Sequence, residues 1–162
     1  MKQVRESKPV EILLVEDNPG DVRLTREILR EAKIHNTLTA VKDGEEALKY
    51  LHRQGKYAKA SHPDLILLDL NLPKKSGHEV LREIKTATTL KRIPVVILTS
   101  SYSEKDIEVS YDGRANAYVT KPLDPNRFIN ILQDITKFWL EIVKLPPGSK
   151  AETVGEVHEI TS

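Results

Sequence analysis

Three carboxylates, two hydroxyls and a lysine fall at the ends of short apolar runs, and their position gives them chemical interest. Ile12-Leu13-Leu14-Val15 leads into Glu16-Asp17, and Leu65-Ile66-Leu67-Leu68 leads into Asp69. Val96-Ile97-Leu98 leads into Thr99-Ser100, and Tyr118-Val119-Thr120 into Lys121-Pro122. Consecutive large aliphatics suit strands covered on both faces, as in a parallel sheet. In such a sheet all the carboxyl ends share one edge, where open α/β folds keep their ligands. Three acids brought there together repel one another unless a cation joins them, so Glu16, Asp17 and Asp69 predict a metal site.

The elements that must position these residues are legible. Strands are expected over 11–16, 36–41, 64–69, 94–99 and 115–119, alternating with helices over 19–33, 44–54, 77–87, 104–112 and 125–143. Five alternations of strand and helix argue for right-handed βαβ units, a parallel sheet and helices on both of its faces. Asn18-Pro19-Gly20-Asp21 combines a cap, a first-turn proline and an early acid. Ser76 with Glu79 fits a capping box, and Asp43 with Glu46 is a looser variant. Ser103 with Asp106, and Asp124-Pro125, suit the starts of the last two helices. Residues 55–63 read as a polar surface connection.

The 162 residues predict one domain with short extensions: a lead over 1–9, a domain over 10–143 and a tail over 144–162. With 25 basic and 24 acidic residues, net charge is +1, which gives no general attraction to nucleic acid or membrane. Cysteine is absent, excluding thiolate chemistry and cysteine metal sites. No signal peptide and no membrane-length apolar run is visible, so a cytoplasmic protein is the expectation. His35, His52, His62, His78 and His158 are scattered without metal-ligand spacing and read as surface residues.

Taken singly, these features are ordinary. Glu16 and Asp17 would favour the next helix through its dipole, Asp69 would be a turn residue before Pro73, and Thr99 a β-branched strand residue. Together, Leu14-Val15-Glu16-Asp17-Asn18, Leu67-Leu68-Asp69-Leu70-Asn71-Leu72-Pro73, Val96-Ile97-Leu98-Thr99-Ser100 and Ala117-Tyr118-Val119-Thr120-Lys121-Pro122 resemble the receiver domain of two-component response regulators, the CheY-like family, over about residues 10–140. The resemblance implies a flavodoxin-like, doubly wound sheet of order 2-1-3-4-5. It implies Asp69 as phosphoryl acceptor, since a carboxylate can act as a nucleophile, and Mg²⁺ as cofactor. The ion would be held by Glu16, Asp17, Asp69 and the Asn71 backbone carbonyl, an all-oxygen set that suits it. Thr99 and Ser100 would face phosphate, Lys121 would neutralise its charge, and Pro122 would follow a cis bond. Tyr118 would turn inward when Thr99 moves toward phosphate, changing the face of helix four, strand five and helix five. Glu16 stands where the family more often has Asp.

Helix five carries a longer apolar stripe than one domain requires. Phe128, Ile131, Leu132 and Ile135 pack at helical spacing, and Phe138, Trp139, Ile142, Val143 and Leu145 continue it. An apolar patch beyond the core predicts an interface, the alternative being that the helix folds back on its own domain. This ending, with residues 55–63 and Asn71-Leu72-Pro73-Lys74-Lys75, resembles the Rcp-type single-domain regulators that serve phytochrome-like histidine kinases, and that resemblance implies a homodimer through the last helix and tail. A sensor histidine kinase upstream, and a downstream protein or phosphotransfer partner, are implied. Too few residues follow helix five for a DNA-binding output domain. Two other readings fit less well. A dehalogenase-type phosphatase would place a second acid where Asn71 stands, and a flavodoxin-like nucleotide binder would need a glycine-rich loop where Glu16–Asp21 is acidic.

Overall fold

The computed structural model describes residues 9–32, 35–132 and 134. Strands β1 (Val10–Val15), β2 (Asn36–Val41), β3 (Leu65–Leu68), β4 (Val95–Thr99) and β5 (Ala117–Thr120) alternate with helices α1 (Pro19–Glu31), α2 (Gly44–Leu51), α3 (Gly77–Thr86) and α4 (Glu104–Asp112). A further helix, α5, runs through residues 125–132. All neighbouring strands are parallel and their order is β2-β1-β3-β4-β5, the expected doubly wound arrangement. The expected interface residues Phe138, Trp139, Ile142, Val143 and Leu145, residues 1–8 of the lead and the tail lie outside the described residues.

Strand alternation divides the interior in two. Leu13, Val15, Ile66, Leu68, Val95 and Ile97 turn to one face, where Leu48 and Leu51 of α2 and Val80, Leu81 and Ile84 of α3 cover them. Ile12, Leu14, Leu65, Leu67, Val96 and Leu98 turn to the other, against Ile28 and Leu29 of α1 and Phe128 and Leu132 of α5. Every residue of β3 and β4 is buried, which is why those runs are aliphatic without polar alternation.

The helix starts follow their caps. Asn18 accepts from the Asp21 N–H, Ser103 from Asp106, and Ser76 with Glu79 closes the full capping box. Asp43 accepts from the Glu46 N–H, but the Glu46 carboxylate does not return to the cap; it receives the Tyr57 hydroxyl instead. Helix α2 stops three residues before the expected 54. Arg53 adopts φ 57°, and the Gln54 N–H reaches back 2.9 Å to the Lys49 carbonyl in a helix-closing turn. The connection over 55–63 then opens with a 3-10 turn at Gly55–Tyr57. Strand β5 begins two residues after the expected 115. The Asn116 side chain takes the Val95 N–H at 2.8 Å just before the strand, so a side chain does there what the ladder does later.

Gly77, the first residue of α3, sits against the backbone that carries Asp69. A Cβ there would come within 2.3 Å of the Asp69 carbonyl oxygen and 2.6 Å of Leu70 Cα. Neither neighbour is a flexible side-chain end. Gly77→Ala should therefore lower stability by about 2 kcal/mol, as overpacking typically does. Gly20→Ala, whose Cβ would meet only Asn18 Oδ1 at 3.2 Å, is the control and should stay near wild type. Urea unfolding of both variants measures the difference; equal midpoints would show that the α3 start yields easily.

Candidate functional site

Strand register places the functional side chains together. Val15 pairs with Leu68, so Glu16 and Asp69 leave adjacent strands side by side. The Asp69 N–H bonds the Val15 carbonyl at 3.0 Å, and the Lys121 N–H bonds the Thr99 carbonyl at 2.8 Å, carrying the ladder one residue past each strand. The Lys121-Pro122 peptide is cis, as expected.

Lys121 is the hub of the site. Its ammonium donates to Glu16 Oε1 at 2.5 Å, Asp21 Oδ2 at 2.9 Å and Asp69 Oδ2 at 3.2 Å, from positions 105, 100 and 52 residues away in sequence. Glu16 and Asp69 are buried and Asp17 is exposed. Burial pushes Glu16 up to about 7; the Lys121 ammonium opposes the rise and the Asp69 charge adds to it. Burial also disfavours the Lys121 charge, but its bonds to Glu16 and Asp21 and the charge of Asp69 outweigh this and hold it above an ordinary lysine. One ammonium therefore faces four acids, counting Asp17.

That excess of negative charge has the chemistry of a divalent-cation site. One carboxylate oxygen from each of Glu16, Asp17 and Asp69 can be chosen so that all lie within 4.8 Å of one another. Three carboxylates with no nitrogen or sulfur ligand fit a hard, oxygen-seeking cation. Asp69 Oδ1 is oriented by the Asn71 N–H at 3.1 Å, and Glu16 Oε2 by the Asn18 N–H at 3.2 Å.

The hydroxyl side of the site is arranged around Ser101. Thr99 is fully buried, and its Oγ1 accepts from the Ser101 N–H at 3.4 Å. Tyr118 is half-buried against the core, and its hydroxyl donates to the Ser101 carbonyl at 3.1 Å. Burial raises the Tyr118 pKa, with the Ser101 bond opposing. Ser100 is exposed, so the engaged serine is the next one.

The fold brings Glu16, Asp17, Asp69, Thr99, Tyr118 and Lys121 to the sheet edge where the sequence places them. Asp21, by sequence only an early acid of α1, joins them. Its place in the first helical turn, four residues after Asp17, was the available signal. His78 was read as a surface residue, yet it is half-buried at the start of α3, with Nε2 3.1 Å from Asp106 Oδ1.

Comparison with known proteins agrees with this geometry. Residues 12–133 match the model of the response regulator receiver domain. The response regulator Rcp1 of Synechocystis sp. (strain ATCC 27184 / PCC 6803 / Kazusa) is 49% identical over 142 residues, spanning 87% of this chain and 97% of that protein. The crystal structure of the phosphorylated cyanobacterial phytochrome response regulator RcpA superposes with a TM-score of 0.73 at 51% identity, covering 82% of this chain and 95% of its own. The Mn²⁺-bound form of Rcp1 gives 0.72 at 48% identity, covering 85% and 99%. With the family match running from β1 into α5, and one relative aligned over nearly its whole length, the chain belongs to the response regulator receiver domain family.

Proposed function

We propose that this protein is a stand-alone response regulator that accepts a phosphoryl group on Asp69 from a histidine kinase and answers by changing its protein contacts. The carrying observation is the Lys121 ammonium shared by Glu16, Asp21 and Asp69 beside the oxygen cluster of Glu16, Asp17 and Asp69. In the transfer an Asp69 carboxylate oxygen forms a bond to phosphorus as the phosphorus–nitrogen bond of the donor phosphohistidine breaks, its electron pair returning to the imidazole. Mg²⁺, held by Glu16, Asp17, Asp69 and the Asn71 carbonyl, would supply charge neutralisation for the phosphoryl oxygens. Lys121 is close enough to Asp69 to turn its ammonium onto the same oxygens. The Thr99 oxygen already accepts from Ser101, which leaves its hydrogen to donate.

The upstream kinase, on this reading, is phytochrome-like, supported by the phytochrome regulator among the similar structures. The apolar residues Phe138, Trp139, Ile142, Val143 and Leu145 form a homodimer surface, supported by their helical spacing beyond the core positions. Ser100 borders the phosphate site from the end of β4.

Incubation with Mg²⁺ and phosphoramidate, followed by intact mass measurement, should show one phosphoryl group, which alkali or hydroxylamine removes as expected of an acyl phosphate. Asp69→Asn should show none, and uptake by that variant would move the acceptor elsewhere. Lys121→Ala should lose about 3 kcal/mol of stability in chelator, because buried carboxylates lose their partner. Added Mg²⁺ should recover more of that loss than it adds to wild type. An equal Mg²⁺ effect on both proteins would mean that lysine and ion do not share the same acids. For the dimer, light-scattering mass should fall to that of a monomer in Trp139→Ala; an unchanged mass removes Trp139 as an anchor.

A further inference from the structure

The loop between β4 and α4 is tied down by a polar chain that the proposed phosphotransfer chemistry does not itself use. Ser101 has every polar group engaged. Its N–H holds Thr99 Oγ1 at 3.4 Å, its carbonyl accepts from Tyr118 at 3.1 Å, and its hydroxyl oxygen accepts from the Ser103 N–H at 3.2 Å. That hydroxyl also donates to Asp106 Oδ2 at 2.6 Å, the shortest contact of the set. The other oxygen of the same carboxylate lies 3.1 Å from His78 Nε2 on α3. The Asp106 N–H is in turn capped by Ser103 Oγ at 3.2 Å, so the carboxylate stands on the capped first turn of α4.

Two consequences follow from this connectivity. The orientation of the Thr99 hydroxyl and the seat of the Tyr118 hydroxyl are both set by the position of one residue, Ser101. That position is set by a bidentate carboxylate with one oxygen on the loop and one on α3. We propose that Asp106 is a positioning residue of the phosphorylation site. Bridging His78 and Ser101, it fixes the β4–α4 loop so that Thr99 and Tyr118 are held in the arrangement that receives phosphate. This inference rests on the receiver reading given above. Asp106 itself touches neither Asp69 nor the incoming group; it acts through Ser101.

The hydrogen bonds invoked join a charged carboxylate to a hydroxyl and an imidazole, and contacts of that kind are strong enough to shift a rate about tenfold. The test is the initial rate of Asp69 phosphorylation by phosphoramidate with Mg²⁺, in wild type, Ser101→Ala, Asp106→Ala and the double variant. Each single substitution should slow uptake about tenfold, and the double should be no slower than either, because both break the same link. Asp106→Asn, which can still accept from the Ser101 hydroxyl, should keep most of the wild-type rate. Mg²⁺ affinity should be the same in all of them, since none of these residues belongs to the acidic cluster. A purely structural role would instead lower Tm while leaving the rates alone. Single variants at the wild-type rate, or a double variant whose loss is the product of the two, overturn the positioning role and leave Asp69 as acceptor. Wild type that takes up no phosphoryl group overturns the receiver reading and this inference together.

Discussion

The charge balance at the carboxyl edge of the sheet governs this structure. Glu16, Asp17 and Asp21 come from one stretch of chain and Asp69 from another, and no fold gains stability by gathering four like charges. Lys121 makes the gathering tolerable, because one ammonium reaches three of the acids at once. The compensation is incomplete by construction. Four carboxylates share one ammonium, so the site retains an unmet demand for positive charge, while burial holds Glu16 up near 7 despite a lysine at 2.5 Å. An arrangement left electrostatically short in this way has an affinity for a divalent cation built into it, and a cation in turn makes room for an anionic phosphoryl group.

That edge stays in place because the sheet beneath it does not yield. The middle strands are buried throughout, with one layer of aliphatics against α2 and α3 and another against α1 and α5. Residues that continue the ladder by a single step, Asp69 on the Val15 carbonyl and Lys121 on the Thr99 carbonyl, inherit the stiffness of the strands. Gly77 then lets the start of α3 lie directly on the Asp69 backbone, closer than any side chain would allow. Asp69 is thus fixed from below by β-structure and from the side by a helix terminus.

Much of this was legible in the sequence because it depends on short-range rules. Four aliphatics ending in an acid specify a buried strand and a charged exit wherever they occur, and the caps at Asn18, Ser76 and Ser103 mark helix starts within a few residues. What escaped depends on tertiary direction. Asp21 and Asp17 lie one helical turn apart, and nothing local says that Asp21 rather than Asp17 meets Lys121 across 100 residues. His78 follows a glycine at a helix start and carries no pattern of burial; only the approach of α4 makes it a partner of Asp106. The early end of α2 was hidden because Arg53 takes a left-handed conformation that sequence ordinarily assigns to glycine.

The same contrast between stiff and yielding parts bears on how a displacement at this edge of the sheet travels. Helix α3 is anchored by four buried residues, whereas α4 has one, Ser110, whose hydroxyl is buried without a partner among the described residues. Tyr102, Val109 and Tyr111 of the α4 region face solvent, so α4 contributes little apolar burial to hold itself in place. Elements with few buried apolar contacts lie at the low-stability end of a fold. The polar chain from Tyr118 and Thr99 through Ser101 reaches Asp106 on this weakly anchored helix before it crosses to His78 of α3. A displacement of Thr99 or Tyr118 therefore meets less resistance toward α4 than in the sheet, which is packed on both sides, or at the start of α3, which lies against the Asp69 backbone.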